Sequence, residues 1–317
     1  MARSKSVRKT KSAASPTMSQ RAARWLFRPW RLVVAATVAL SLLFWPQFRQ
    51  KLPKLEGRPE YQVSVEQITV TPPPRWVPPD LVEQVFRRAG LADAPLSLLD
   101  PTLSERIAAA FYTHPWIDDV QRVRKDFPAH VVVEVTYRRP VAMVQAVDGY
   151  YPVDALGHVL PPQDFTMADL ERYPIIEQVS SVPVGGLGEA WGDPAVTGAA
   201  QLADVLISQD SDGRSWWKAM ELRAILAPLG AAPNAQPEDL EYQIRTAGGS
   251  RVLWGRSPHT QHPGELTVEQ KLQRMIAYHR DFGSFDDGPV PQAIDIRHWK
   301  ATRRERLAID EPKNPRR

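Results

Sequence analysis

The sequence contains no cysteine. Disulfides, thiolate zinc sites and cysteine nucleophiles are therefore excluded, and the absence is compatible with an extracytoplasmic location without proving one. Acidic residues are missing from positions 1–31, which carry nine cations: Arg3, Lys5, Arg8, Lys9, Lys11, Arg21, Arg24, Arg28 and Arg31. Internal repeats are absent. Long hydrophobic runs are missing too, apart from Leu32 to Trp45 (LVVAATVALSLLFW), fourteen residues without a charge, closed by Pro46. Thirty prolines and seventeen glycines in 317 residues argue for many short elements joined by turns.

That one apolar run organises the rest. At 1.5 Å rise fourteen helical residues span only ~21 Å, against the ~30 Å of a bilayer core. Trp25-Leu26-Phe27 and Trp30 extend it upstream, interrupted by Arg28, Pro29 and Arg31. Arginine stems snorkel to headgroups and tryptophans favour that interface, so Trp30 and Trp45 bracket a span. A buried core helix would carry a polar face, whereas this run has only Thr37 and Ser41. A cleaved signal peptide needs small residues after its apolar core, and here stand Phe44-Trp45-Pro46-Gln47-Phe48-Arg49. The reading is an uncleaved membrane anchor over 32–48, with a basic cytoplasmic tail at 1–31 and the C-terminal body outside. The same cations would also serve as an adhesive tail for anionic lipid or nucleic acid.

Removing those nine cations from the 40 leaves 31 basic against 36 acidic residues in 32–317, a net charge of −5. The body is mildly acidic, which gives no general case for nucleic-acid binding. About 270 residues beyond the anchor correspond to one or two domains.

Residues 49–60 read as a polar, proline-punctuated linker. Tyr61 to Thr71 reads as a strand whose apolar phase shifts at Glu66-Gln67, a bulge or bend. Asp80 and Glu83 form a capping-box pattern before a helix ended by Gly90, with Leu81, Val82, Val85, Phe86 and Ala89 on one face. Asp100-Pro101 opens a second helix with a Leu103, Ile107, Ala110, Phe111 stripe. Trp116 to Arg124 and His130 to Tyr137 read as strands around a turn at Lys125–Pro128, with Val131, Val133, Val135 and Tyr137 on one face. The order is β-α-α-β-β.

Beyond Val141 the chain becomes strand- and turn-rich. Val141–Val147 and Gly149–Val153 form a hairpin around Asp148-Gly149, and Asp154 and Gly157 set a second tight turn. A strand begins at Pro174-Ile175-Ile176, and residues 194–208 read as a helix. Strands follow over Glu221–Ile225, Leu240–Thr246 and Arg251–Gly255. Thr267 caps a helix with Val268, Leu272, Met275 and Ile276 on one face, and Ala293–Arg297 is the last strand.

Several of these pieces carry a resemblance. "ITV" at 68–70, "HPWIDDVQRVRKDFP" at 114–128, "VVVEV" at 131–135 and "RRPVA" at 138–142 resemble the POTRA domain of the bacterial cell-division family FtsQ, also called DivIB. The hairpin "YYPVDALGHVLPP" at 150–162, the "LWG" run, a helix from Lys271-Leu272 and a closing "IDIR" resemble that family's second domain, in order. Pro72-Pro73-Pro74 departs from the family's turn after the first strand, and "HWKATRRER" is more basic than the family's usual end. The resemblance covers about 60–300. It implies an α+β chain: a single N-terminal transmembrane helix, a β-α-α-β-β POTRA domain at 61–140, and a strand-rich mixed α/β second domain at 141–300. A basic tail at 301–317 is expected to be disordered.

No catalytic constellation is apparent. His259 and His262 lie in a loop, without the helical i, i+4 spacing and third ligand of a zinc site. Asp118 and Asp119 are adjacent on a strand and point to opposite faces. Gly185-Gly186-x-Gly188 reads as a turn, and no serine sits in a G-x-S-x-G elbow. Most of the ten tryptophans belong to the core, although Trp216-Trp217 together suggest a surface contact.

The resemblance implies a non-enzymatic bitopic scaffold of the divisome at the cytoplasmic membrane, placed at the septum. It would link early and late division proteins and regulate septal peptidoglycan synthesis by contact. It implies small single-pass partners of the FtsB and FtsL type, no cofactor, no nucleic acid and no small-molecule substrate. A partner segment adding beside the last strand puts the candidate surface at Ile296, Arg297, His298 and Trp299; an ordinary charge-guarded edge is the plainer reading. POTRA domains also serve polypeptide transport and outer-membrane assembly, but the remaining ~160 residues are too few for a sixteen-stranded barrel. An envelope enzyme tethered by the anchor is a third reading, for which the sequence offers no site.

Overall fold

The computed structural model describes residues 29–51, 58–92, 96–209, 213, 215–230, 235–299 and 301–307, with the backbone alone at 29, 31–32, 46–51 and 237. Two units are distinguished, 1–58 and 59–317.

In the first unit, Pro29–Lys51 forms one helix, α1, of 23 residues. Proline suits its first turn, where the missing N–H has no partner to lose. The helix continues through Pro46 rather than stopping there, at the cost of one backbone bond. Val33, Val38, Leu42 and Leu43 are all exposed, pointing to different sides of the helix. Among the described residues no helix is long and apolar enough to cross a membrane. α1 thus coincides in position with the span expected over 32–48, but its run ahead of Pro46 is only the fourteen residues noted above. Most of the basic tail (1–28) lies outside the described residues.

The second unit begins with the β-α-α-β-β order read from the sequence, with two differences. The first strand is two strands: β1 (Gln62–Val63) and β2 (Ile68–Val70). Between them Val65–Gln67 makes a 3-10 turn, held by a capping box between Ser64 and Gln67. The phase shift at Glu66-Gln67 is this turn and not a bulge. An added short strand, β3 (Leu96–Ser97), pairs with β1. The helices are α2 (Leu81–Arg88) and α3 (Leu103–Tyr112). The expected Asp80–Glu83 box does not form; Asp80 instead accepts a bond from Gln84, one turn into the helix, at 2.9 Å. Asp100 gathers the turn before α3 by accepting from the Thr102 amide and hydroxyl, both at 2.8 Å.

β4 (Ile117–Asp126) and β5 (His130–Tyr137) pair antiparallel, and β2 adds to β5 in parallel, giving the order β2-β5-β4. The alternation in β5 works as read: Val131, Val133 and Val135 are buried against Phe86, Phe111 and Ile107. Phe86 and Phe111 meet edge to face at 6.4 Å. Each such buried side chain contributes about 1.5–3 kcal/mol.

Among the described residues the second module is a sheet of eight strands in the order β13-β12-β11-β10-β9-β8-β6-β7. They are β6 (Ala142–Ala146), β7 (Gly149–Val153), β8 (Ile175–Glu177), β9 (Leu222–Leu226), β10 (Glu241–Thr246), β11 (Arg251–Arg256), β12 (Gln292–Asp295) and β13 (Arg303–Arg306). Among the described residues three α-helices accompany it: α4 (Pro194–Ile207), α5 (Trp216–Ala219) and α6 (Val268–Phe282). α4 buries Val196, Ala199, Ala200, Ala203 and Leu206. Its small residues permit a close approach: a Cβ at Gly198 would lie 2.1 Å from the Tyr242 hydroxyl. The Asp154 turn forms as read, with Asp154 accepting from the Leu156 and His158 amides and Gly157 at φ +79°.

Two expectations are corrected. Residues 303–306 are not disordered tail but the edge strand β13, paired to β12 from Gln292↔Arg306 to Asp295↔Arg303. Residues 308–317 lie outside the described set. The Trp216-Trp217 pair is no surface contact: Trp217 is buried and Trp216 packs against the same core, because Ser215 caps α5 and turns both rings inward.

The two modules lock together through Trp116, fully buried, whose indole N–H donates to Asp164 at 2.8 Å and whose ring stacks on Phe165. Arg138, leaving β5, joins Asp118 and Asp154 at 3.1 and 2.8 Å, and its carbonyl accepts from Trp76.

His114 sits beside this junction, and its Nδ1 accepts from the Trp116 amide at 3.4 Å. Burial pushes its pKa down to about 4; Arg88 adds to this and Asp80 opposes it. The unfolded chain takes up this proton near pH 6.5, whereas the folded one resists until about 4. Stability therefore falls as pH drops through that window and levels off below it. The expected outcome for His114→Asn is a flatter dependence of the urea midpoint on pH between 6.5 and 4.

Candidate partner-binding corner of the large sheet

The segment expected to bind a partner leaves β12 and crosses to β13. Ile296 belongs to the core, with no exposed area, and joins Ile294, Val252 and Trp254 in one apolar cluster. Its side chain is therefore not a contact residue. Arg297, half-buried, spans two acids: it donates to Asp295 through Nε (3.0 Å) and Nη2 (2.8 Å), and to Glu241 at 2.6 Å. Burial pushes the Asp295 carboxyl up, but the hydrogen bonds and charge of Arg297 outweigh it and hold it below the usual range. His298 reaches the same carboxylate at 3.3 Å. Trp299 is 63% exposed, with its indole N–H fixed on the Gly264 carbonyl at 3.1 Å.

What holds this crossing is a residue that the sequence reading passed over. Arg274 on α6 donates to the carbonyls of Ile296 (2.9 Å), His298 and Trp299 (2.8 Å). One planar guanidinium carries several donors in fixed directions, which suits it to gather backbone carbonyls that have left a strand ladder. Helical spacing offered a signal, since Arg274 lies one turn beyond Lys271 and beside Met275, both on the buried face of the helix.

The "LWG" run builds the floor of the corner. Gly255 has φ +90° at the shifted register between β10 and β11, where Tyr242 pairs with Gly255 and Gln243 with Leu253. Only glycine adopts that backbone readily, and a Cβ there would also press on Glu265 and Arg297. The bulge seats Trp254 in the core, with its N–H on the Arg256 carbonyl at 3.0 Å. Lys271, almost wholly buried, lies 4.8 Å above that indole ring and pairs with Glu265. Burial lowers its pKa, against the opposing pull of Glu265.

Other residues singled out from the sequence are scattered. His259 and His262 are exposed in their loop, and His262 faces the Pro263 carbonyl. Asp118 is engaged by Arg138. The Gly185-Gly186-x-Gly188 stretch is a turn in which the Gly186 amide donates to Glu189. Among the described residues no group of three or more histidines, aspartates and glutamates is arranged to hold a metal ion.

Arg274→Ala is expected to release the crossing. Amides of residues 296–299 should exchange at least tenfold faster, with a loss of about 1–3 kcal/mol in unfolding free energy for the orphaned carbonyls. Hydrogen exchange read by mass spectrometry checks the first and urea titration the second.

No protein-family model matches the chain. A curated relative, the cell division protein FtsQ of Anaeromyxobacter sp. (strain K), is 27% identical over 184 residues, or 58% of this chain and 52% of the relative. The chain thus spans about half the length of the curated relative it matches. The motifs and this relative carry the same resemblance, and over that stretch the chain is similar to FtsQ.

Proposed function

We propose that the chain is a membrane-anchored, non-enzymatic scaffold of bacterial cell division. In this reading α1 is the single span, the basic tail lies in the cytoplasm, and residues 59–317 lie outside. The exposed apolar side chains around α1 support this, since a helix bare on every side requires an apolar surrounding. The shortness of its apolar core is met by local thinning of the bilayer.

The scaffold acts by contact. The observation that carries this is the corner just described. The large sheet ends there, and beside it Trp299 is held exposed by Arg274 and Gly264. A fixed, exposed tryptophan beside a sheet edge is the kind of anchor on which protein interfaces concentrate their energy. Small single-pass proteins of the FtsB and FtsL type are the proposed partners, and through them septal peptidoglycan synthesis would be regulated. The POTRA-like first module would serve recruitment to the septum.

Crosslinked capture from native membranes tests the reading. The full chain is expected to recover small single-pass coiled-coil proteins, a chain ended after Asp295 to lose them, and Trp299→Ala to reduce recovery about tenfold, roughly the 1.4 kcal/mol of a modest hot spot. Recovery of secreted or barrel proteins instead would favour a transport role. For topology, an epitope at residue 1 should stay protected from protease added outside the cytoplasmic membrane while residues 59–317 are digested.

A further inference from the structure

β13 is held differently from every other strand of the large sheet. Its partner β12 is anchored in the core through Ile294 and Gln292 and pairs with β11 along its inner side. Among the described residues β13 pairs with β12 alone; Arg303, Glu305 and Arg306 are exposed, and the Arg304 side chain is about one-third exposed. It therefore gains backbone bonds but almost no apolar burial, and backbone bonds net little over those made to water. One side chain supplements them: Arg304 reaches Asp287 and Gln292 and lies over the Phe282 ring at 5.1 Å.

The crossing before it is fastened independently, by Arg274 and by the Trp299 indole. Release of β13 would thus leave the crossing, β12 and the core in place. What it would uncover is the outer edge of β12, flanked by an acid, Asp287, and an aromatic face, Phe282, which is already half exposed.

We propose that Arg303–Arg306 is a displaceable strap, covering the outer edge of β12 in the free chain and yielding it to an extended segment of a partner protein. The incoming segment takes the antiparallel register of β13, and opposite Ile294 it carries a basic side chain that replaces Arg304 on Asp287 and Phe282. This rests on the reading that a partner strand adds at this end of the sheet. It explains why the edge is closed before the partner arrives: an unpaired strand edge invites association with any chain.

Two measurements test it. In the full chain alone, amides of 303–306 should exchange at least a hundredfold faster than those of β10. Protection equal to that of β10 would overturn the strap whatever binds. Second, Ala293 and Glu305 are directly opposed, at a separation a disulfide spans. The chain has no other cysteine, so Ala293→Cys with Glu305→Cys locks the strap on oxidation and frees it on reduction.

With a purified single-pass partner of the FtsB type as probe, the oxidised form should bind at least tenfold more weakly than the same protein reduced. Arg304→Ala should bind severalfold more tightly than the unaltered chain. Replacing the partner's basic residue with glutamate should abolish binding. Equal binding by the locked and freed forms overturns the strap while leaving the partner reading intact. Binding by neither form, with 303–306 still exchanging rapidly, overturns the partner reading and with it the exchange of strands.

Discussion

The guanidinium of Arg274 and the three carbonyls it gathers decide the form of the C-terminal corner. A chain leaving a strand must find new partners for its carbonyls, and in a crossing this short the sheet cannot supply them. Because a side chain of α6 does so, the backbone of 296–299 is fixed by the helix as well as by the strand it continues. α6 is itself tied to the sheet by Lys271, whose buried ammonium requires both Glu265 and the Trp254 ring. Trp254 in turn keeps its place through the bulge at Gly255. Helix, bulge and crossing form one chain of dependence.

The junction of the two modules follows a similar logic with different chemistry. Trp116 ends the helix-to-strand turn of the first module and is buried, but its indole N–H must be satisfied, and Asp164 of the second module does so. Arg138 repeats the pattern with Asp118 from one side and Asp154 from the other. Polar groups that each module alone would leave unpaired are completed by its neighbour. This accounts for Pro59–Arg317 forming one unit although it holds two separate apolar cores.

Much of this architecture was legible because it rests on local rules. Alternation in His130–Tyr137, the Thr267 cap, the Asp154–Gly157 turn and the β-α-α-β-β order each follow from a period or a turn chemistry within a few residues. The errors arose where two locally equivalent answers compete. Tyr61–Thr71 has the composition of one strand, yet the Ser64–Gln67 box breaks it and sends its halves to different sheets. RRER has no apolar pattern at all, so nothing local distinguishes a charged edge strand from a tail.

Composition and local pattern suffice for the absence of thiol chemistry, the basic segment before one short apolar run, the order of the main helices and strands, and the motifs that resemble FtsQ. It takes the folded chain to show that Ile296 is core while Trp299 is surface, that Arg274 holds both in position, and that among the described residues the sheet ends at β13 rather than β12. The reason is physical: periodicity records which face a residue prefers, but an edge, a crossing or a shared guanidinium exists only once segments distant in sequence have met.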